Sequence, residues 1–156
     1  MQRQEAMGCA GRPVDYTAPV EYADAAVMEF HHWPIAGGVY LLTENGRFYI
    51  GQSVDVAGRF ASHRMKPANC KFSDPRCALL ASVPYRHQPR NLQSWNQNAH
   101  KRLIAEARFI AAALSMGLPL TNTLSAYKRD KLLNQFPDVT CERERIAQAL
   151  FVLEAQ

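Results

Sequence analysis

The sequence predicts a mixed α/β domain of the α+β type: a short β-hairpin and a third strand, followed by amphipathic helices. Three observations carry this. Two apolar stretches, residues 38–42 and 47–51, flank Asn45-Gly46, a pair that readily takes the positive φ angles of a type I′ turn. Residues 77–83 (CALLASV) form a short apolar run closed by Pro84, the length of a buried strand. Beyond residue 98, apolar residues recur at intervals of three and four, the signature of helices packed on one side.

The elements follow in chain order. Residues 1–19 carry Gly8, Gly11, Pro13 and Pro19 as breakers. Residues 20–30 place Ala23, Ala26, Val27 and Phe30 at helical spacing, and Trp33-Pro34 closes that segment. Together they make an N-terminal arm, 1–33, with a short helix. After the hairpin, Ser53 and Asp55 are both good N-cap types for a helix running to about residue 65. On it Val56 and Phe60 face the core, and Arg59 and His63 lie one turn apart on the neighbouring face. Residues 67–76 and 86–96 read as polar loops on either side of the third strand. The strongest helix covers 98–116, with Leu103, Ile104, Ala107, Ile110, Ala111 and Leu114 in one stripe, Gly117 as C-cap and Pro119 beyond it. A helix over 125–136 ends at Pro137. Thr140 then caps a last helix with Ile146, Ala149, Leu150 and Leu153 on its apolar face.

At 156 residues, with 47% apolar and 21% charged residues, the chain suits one domain with a real core. No apolar run is long enough to span a membrane, and the first 11 residues lack the apolar stretch of a secretory signal. Cys9, Cys70, Cys77 and Cys141 form no C-x-x-C pair, so the expectation is reduced thiols in an intracellular, cytoplasmic protein. Net charge is +4 but unevenly spread. Between Gly58 and Arg102 lie nine of the 18 basic residues and one of the 14 acids, Asp74. Such a basic middle suits a phosphate backbone, with Arg64, Lys66, Lys71, Arg76, Arg86, Arg90, Lys101 and Arg102 as the expected DNA contacts.

Hydrolysing a phosphodiester requires a water, a base to take its proton, and positive charge on the phosphate. A hard divalent cation supplies much of this and prefers carboxylate oxygen. Glu106 is the candidate ligand: it is the only acid between Asp74 and Asp130 and sits at the flank of the apolar stripe. Its competing use is an i,i+4 ion pair with Arg102. Arg59 suits a phosphate through its planar fork, though taken singly it is an ordinary surface residue. Tyr40 and Tyr49, taken singly, are ordinary strand aromatics.

Their joint order is more specific. Gly38-Val39-Tyr40, then Tyr49-Ile50-Gly51-Gln52-Ser53, Asp55, Arg59 and His63, with Glu106 and Asn122 later, resembles the GIY-YIG nuclease family over residues 34–123. Val39 replaces the family's isoleucine. The resemblance implies a small three-stranded antiparallel sheet flanked by helices in a domain spanning 34–123; residues 124–156, outside it, read from their own pattern as a C-terminal helical extension. It implies one metal, Mg²⁺ or Mn²⁺, on Glu106, and a tyrosine that helps activate water. Tyr40, Tyr49, Arg59, His63 and Glu106 are then the catalytic set, and Gly38, Gly51 and Asn122 its support. A free tyrosine titrates near pH ~10, so the base is Tyr40 with Tyr49 positioning, the reverse, or a relay through His63. The expected activity is DNA endonuclease, in restriction or repair. The alternative is a GIY-YIG-fold module that binds nucleic acid without cutting it. One domain holds one site, so cutting both strands needs two events or two copies, such as a homodimer.

Overall fold

The computed structural model describes residues 21–24, 37–56, 58–59, 72–83 and 92–154. Four strands, β1 (Glu21–Asp24), β2 (Gly37–Glu44), β3 (Arg47–Ser53) and β4 (Arg76–Val83), form one sheet in the order β1-β4-β2-β3. Every neighbouring pair is antiparallel. Three helices follow: α1 (Leu92–Ser115), α2 (Ala126–Gln135) and α3 (Thr140–Glu154). The fold is α+β, with the three-stranded antiparallel core β4-β2-β3 read from the sequence and a fourth strand added at its edge.

That fourth strand corrects one expectation. Residues 21–24 are extended, not helical, and pair Glu21 with Leu79 through Asp24 with Arg76. The helical spacing over 20–30 rested on few apolar residues. Pairing along the open side of β4 satisfies a row of backbone groups there, which outweighs weak local periodicity.

The β2–β3 turn is built as its sequence requires. Asn45 and Gly46 have φ of 52° and 75°, both left-handed, and the register pairs Glu44 with Arg47 across them. Register then carries to the other end of the hairpin, where Tyr40 faces Gly51 and Leu42 faces Tyr49. β4 joins β2 with one irregularity: Val39 pairs with Ala81 but Tyr40 with Leu79, so Leu80 is an extra residue. The bulge brings Leu80 and Ala81 into the same apolar cluster. The Leu80 carbonyl accepts a bond of 2.7 Å from Nε of the buried Arg145 on α3.

Alternation divides the sheet into two faces. Val39, Leu41, Ile50, Ala78 and Leu80 pack against Ala105, Phe109, Ala112, Ile146 and Ala149 of α1 and α3. Tyr40, Leu42, Cys77 and Leu79 pack on the opposite face against Val56 and Phe72. The α1 stripe is rotated from its expected position: Leu103 is 52% exposed, whereas Ala105, Phe109 and residues 110–113 are buried. The helix packs on the sheet and on both later helices, so it buries more than one side, and its small alanines permit close approach. It also begins earlier than expected, taking residues 92–96 from the predicted polar loop. That run holds only Leu92 and Trp95 as apolar residues, too few to register as a stripe. Gly117, at φ 72°, ends α1, with Gly117 N–H bonded to Leu114 O and Leu118 N–H to Ala113 O, a Schellman closure.

Helix α2 starts at Ser125, whose hydroxyl accepts from Lys128 N–H at 3.1 Å. The first helical bond of α3 runs from Arg143 N–H to Val139 O, and just ahead of it the Asp138 carboxylate accepts both the N–H and the hydroxyl of Thr140. Arg108 of α1 ties this corner down. Its Nε donates to Glu142 at 2.5 Å, its Nη2 donates to the Asp138 carbonyl at 2.7 Å, and its guanidinium lies over the Phe136 ring. Arg76, expected on DNA, donates instead to the Leu153 carbonyl near the end of α3, where a cation complements the helix dipole. Cys77 is a free, buried thiol, while Cys141 is disulfide-bonded, which corrects the expectation of a reduced thiol there. Sequence spacing does not reveal such pairing. Among the described residues, no helix is long and apolar enough to cross a membrane.

The outer side of β3 would be an open edge but for residues 119–122. Phe48 N–H donates to Pro119 O at 3.1 Å, and Thr121 N–H donates to Phe48 O at 2.7 Å. Asn122 then closes on Ile50 from both sides: its Oδ1 accepts from Ile50 N at 3.0 Å, and its Nδ2 donates to Ile50 O at 2.8 Å. Asn122→Ala leaves both Ile50 groups without their partner and is expected to lower unfolding free energy by about 2 kcal/mol. Asn122→Asp keeps the acceptor but sets a carboxylate against a carbonyl, and is expected to be at least as damaging. Urea unfolding checks both, and a loss under about 0.5 kcal/mol in each would show that the edge closes without this side chain.

Candidate active site at the end of β3

Hairpin register builds one side of the site. Tyr40 and Gly51 are direct cross-strand partners, so the Tyr40 ring lies over Gly51. A Cβ placed on Gly51 would come within 2.4 Å of the Tyr40 hydroxyl and 3.0 Å of the Tyr49 ring. Tyr40 is only 1% exposed and has no room to swing away, so any side chain at 51 displaces it. Tyr49 is half-buried beside it, with ring centroids 6.3 Å apart and planes tilted by 39°. Gly38 is buried in β2 between Ser53 and Ser82, its cross-strand partners.

The chain leaves β3 through a tight capping arrangement. Asp55 N–H donates to the Ser53 hydroxyl at 3.1 Å, and Asp55 Oδ1 accepts from Gly58 N–H at 3.0 Å. Asp55 is therefore the N-cap, and Arg59 N–H bonds back to its carbonyl in the first helical turn. That turn brings the exposed Arg59 to the Tyr40 hydroxyl, to which its guanidinium donates. Burial pushes the Tyr40 phenol well above its ordinary range and the neighbouring Tyr49 adds to this, while the bond and charge of Arg59 oppose it. Tyr40 is thus a neutral phenol at pH 7.

Helix α1 builds the other side. Among the described residues the competing ion pair between Arg102 and Glu106 does not form; the two side chains lie by different atoms of Gln52. Arg102 Nε donates to the Gln52 side-chain oxygen at 3.3 Å. The Gln52 backbone N–H lies close enough to the Glu106 carboxylate to favour its ionised form. Burial raises the Glu106 pKa, and the Gln52 N–H and the charge of Lys128 on α2 partly offset this. The outward N–H groups of Phe48 and Ile50 meet a backbone carbonyl and an amide side chain, and that of Gln52 faces a carboxylate.

A half-buried carboxylate with one backbone donor retains lone pairs for a hard cation, and one carboxylate with water suits Mg²⁺. Among the described residues no cluster of three or more His, Cys, Asp and Glu groups occurs, so Glu106 would hold such an ion as its single described protein ligand. Of the expected DNA cations, Lys101 is exposed and Arg102 is buried at 8% exposure. His63, Arg64, Lys66, Lys71, Arg86 and Arg90 lie outside the described residues. Sequence reasoning missed Gln52 as a shared partner and Lys128 as a neighbour of the carboxylate. Alternation alone signals that Gln52 points away from Tyr49 and Gly51, but nothing local signals that α1 lies there. The chain matches no protein-family model, and comparison with curated proteins and with solved structures finds no match.

Proposed function

We propose that this chain is a metal-dependent DNA endonuclease of the GIY-YIG type, hydrolysing phosphodiester bonds at the end of β3. The observation that carries this reading is the gathering of residues distant in sequence around Tyr49, Gly51 and Gln52. Tyr40 and Arg59 are bonded to each other over Gly51, and Glu106 lies by the Gln52 N–H. These are the groups that such hydrolysis requires: a cation for the phosphate, hydroxyls to handle a proton, and a carboxylate for a divalent ion.

The roles follow from the surroundings. Glu106 would hold Mg²⁺ or Mn²⁺, which supplies charge on the phosphate and acidifies water. Arg59 is exposed and can grip a phosphate oxygen while keeping the Tyr40 hydroxyl oriented. Tyr40 orients water or accepts its proton only when a bound substrate and cation offset the cost of its burial. Tyr49, nearer solvent, positions the same water or the phosphate. His63 remains a candidate relay.

Glu106→Gln is expected to abolish cleavage of plasmid DNA in Mg²⁺ while leaving the fold and most DNA binding intact. Cleavage at the wild-type rate in limiting Mg²⁺ would remove the metal role. A wild type that binds DNA but never cuts it would favour a binding module on the same fold.

Arg59→Ala is expected to slow single-turnover cleavage about a hundredfold, as loss of one charge-assisted contact in the transition state costs about 3 kcal/mol. Lys101→Ala, at an exposed cation elsewhere, should cost less than tenfold. Equal losses would deny Arg59 a special place.

The pH profile carries the sign of the Tyr40 shift. A phenol whose pKa is raised is protonated throughout pH 6–9, so the reactive fraction rises with pH without levelling. The logarithm of the cleavage rate should climb steadily over that range, and Tyr40→Phe should lie far below wild type throughout. A plateau near neutral pH in the wild type, with Tyr40→Phe still active, would assign the base to His63.

A further inference from the structure

Arg102 is charged, 8% exposed, and lacks a carboxylate partner among the described residues. A buried guanidinium normally requires a counter-charge, since desolvation is costly and is regained only by close pairing. A carboxylate is available one turn away, at Glu106, yet the two do not pair. Arg102 is turned to Gln52, whose side-chain oxygen takes Nε at 3.3 Å. A neutral amide orients the guanidinium without neutralising it. Among the described residues, Nε alone is so engaged. The terminal nitrogens form the fork that matches two phosphate oxygens.

We infer that Arg102, oriented by Gln52, is a second phosphate-gripping guanidinium beside Glu106, and that the DNA backbone supplies its missing counter-charge. Arg59 and Arg102 then approach the end of β3 from its two sides, one on the helical turn after the strand and one on α1. The chain would be gripped at neighbouring phosphates across the position to be cut. Gln52 is the positioning residue, and its neutrality matters: a carboxylate there would satisfy Arg102 internally and leave DNA without its partner. This role rests on the nuclease reading for its place beside a cut phosphate, but its test requires binding alone.

The test measures binding of a fluorescein-labelled DNA duplex by anisotropy, in EDTA, over a range of salt. Arg102→Gln and Gln52→Glu are each expected to weaken binding about tenfold and to lower the slope of log affinity against log salt by about one, the loss of a single phosphate contact. The double variant should bind no more weakly than Arg102→Gln, because Gln52→Glu acts through Arg102. Arg143→Gln, on the exposed side of α3, should match wild type. A wild-type slope in Arg102→Gln overturns the inference, as does a double variant weakened by the product of the single effects. Should Arg102→Gln fail to fold, Gln52→Glu decides, since it removes no packing: an unchanged slope overturns the inference. Wild-type slopes in both variants, with cleavage by the wild type in Mg²⁺, would remove Arg102 and leave the nuclease reading. Altered slopes with no wild-type cleavage would do the reverse, and a wild type that binds no DNA overturns both.

Discussion

Strand β3 lies at the edge of the sheet, with only β2 beside it as a strand. An edge strand presents a row of backbone groups that must be paired, covered or left to attract another strand. Here two outward N–H groups are met by the Pro119 carbonyl and the Asn122 amide, and the third, that of Gln52, lies beside the Glu106 carboxylate. Closing the edge and seating the candidate metal ligand are one event. The inward side of the same strand fixes Gly51 opposite Tyr40, so both halves of the site share a few residues of backbone.

Helix α1 works on two fronts. Its Arg102 and Glu106 reach Gln52, while Arg108, two residues on, holds Glu142 and the Asp138 carbonyl of the C-terminal helix. The helical extension is thereby coupled to the carboxylate through one rigid element. Lys128 of α2 adds a positive charge close enough to favour the ionised form of Glu106. Helix α2 thus contributes to the electrostatics of the site, and α3 to the core.

Much of this was legible in sequence where local chemistry decides. Asn45-Gly46 fixed the hairpin turn, Gly117 the end of α1, and Ser125 the start of α2, because each residue meets a backbone demand within a few positions. Where partners are distant, the sequence misled. Residues 21–24 follow the open side of β4 rather than their own weak periodicity. Leu103 stands exposed because α1 is buried on more than one side and its orientation is set by alanines. The i,i+4 spacing of Arg102 and Glu106 allowed an ion pair, yet Arg102 bonds Gln52, 50 positions away in sequence. Motif order pointed to Tyr40, Tyr49, Arg59 and Glu106, but the upward shift of the Tyr40 phenol depends on burial that no motif encodes.

As proposed, Glu106 would hold a divalent ion at the end of β3. Titrating ¹⁵N-labelled protein with Mn²⁺ tests it directly, because the ion broadens amide signals according to distance. The account predicts that the Gln52 amide broadens first, with Gly51 close behind, and that Glu106→Gln removes the effect while the spectrum otherwise stays folded. Broadening centred on another part of the chain, or persisting at Gln52 in Glu106→Gln, would contradict it.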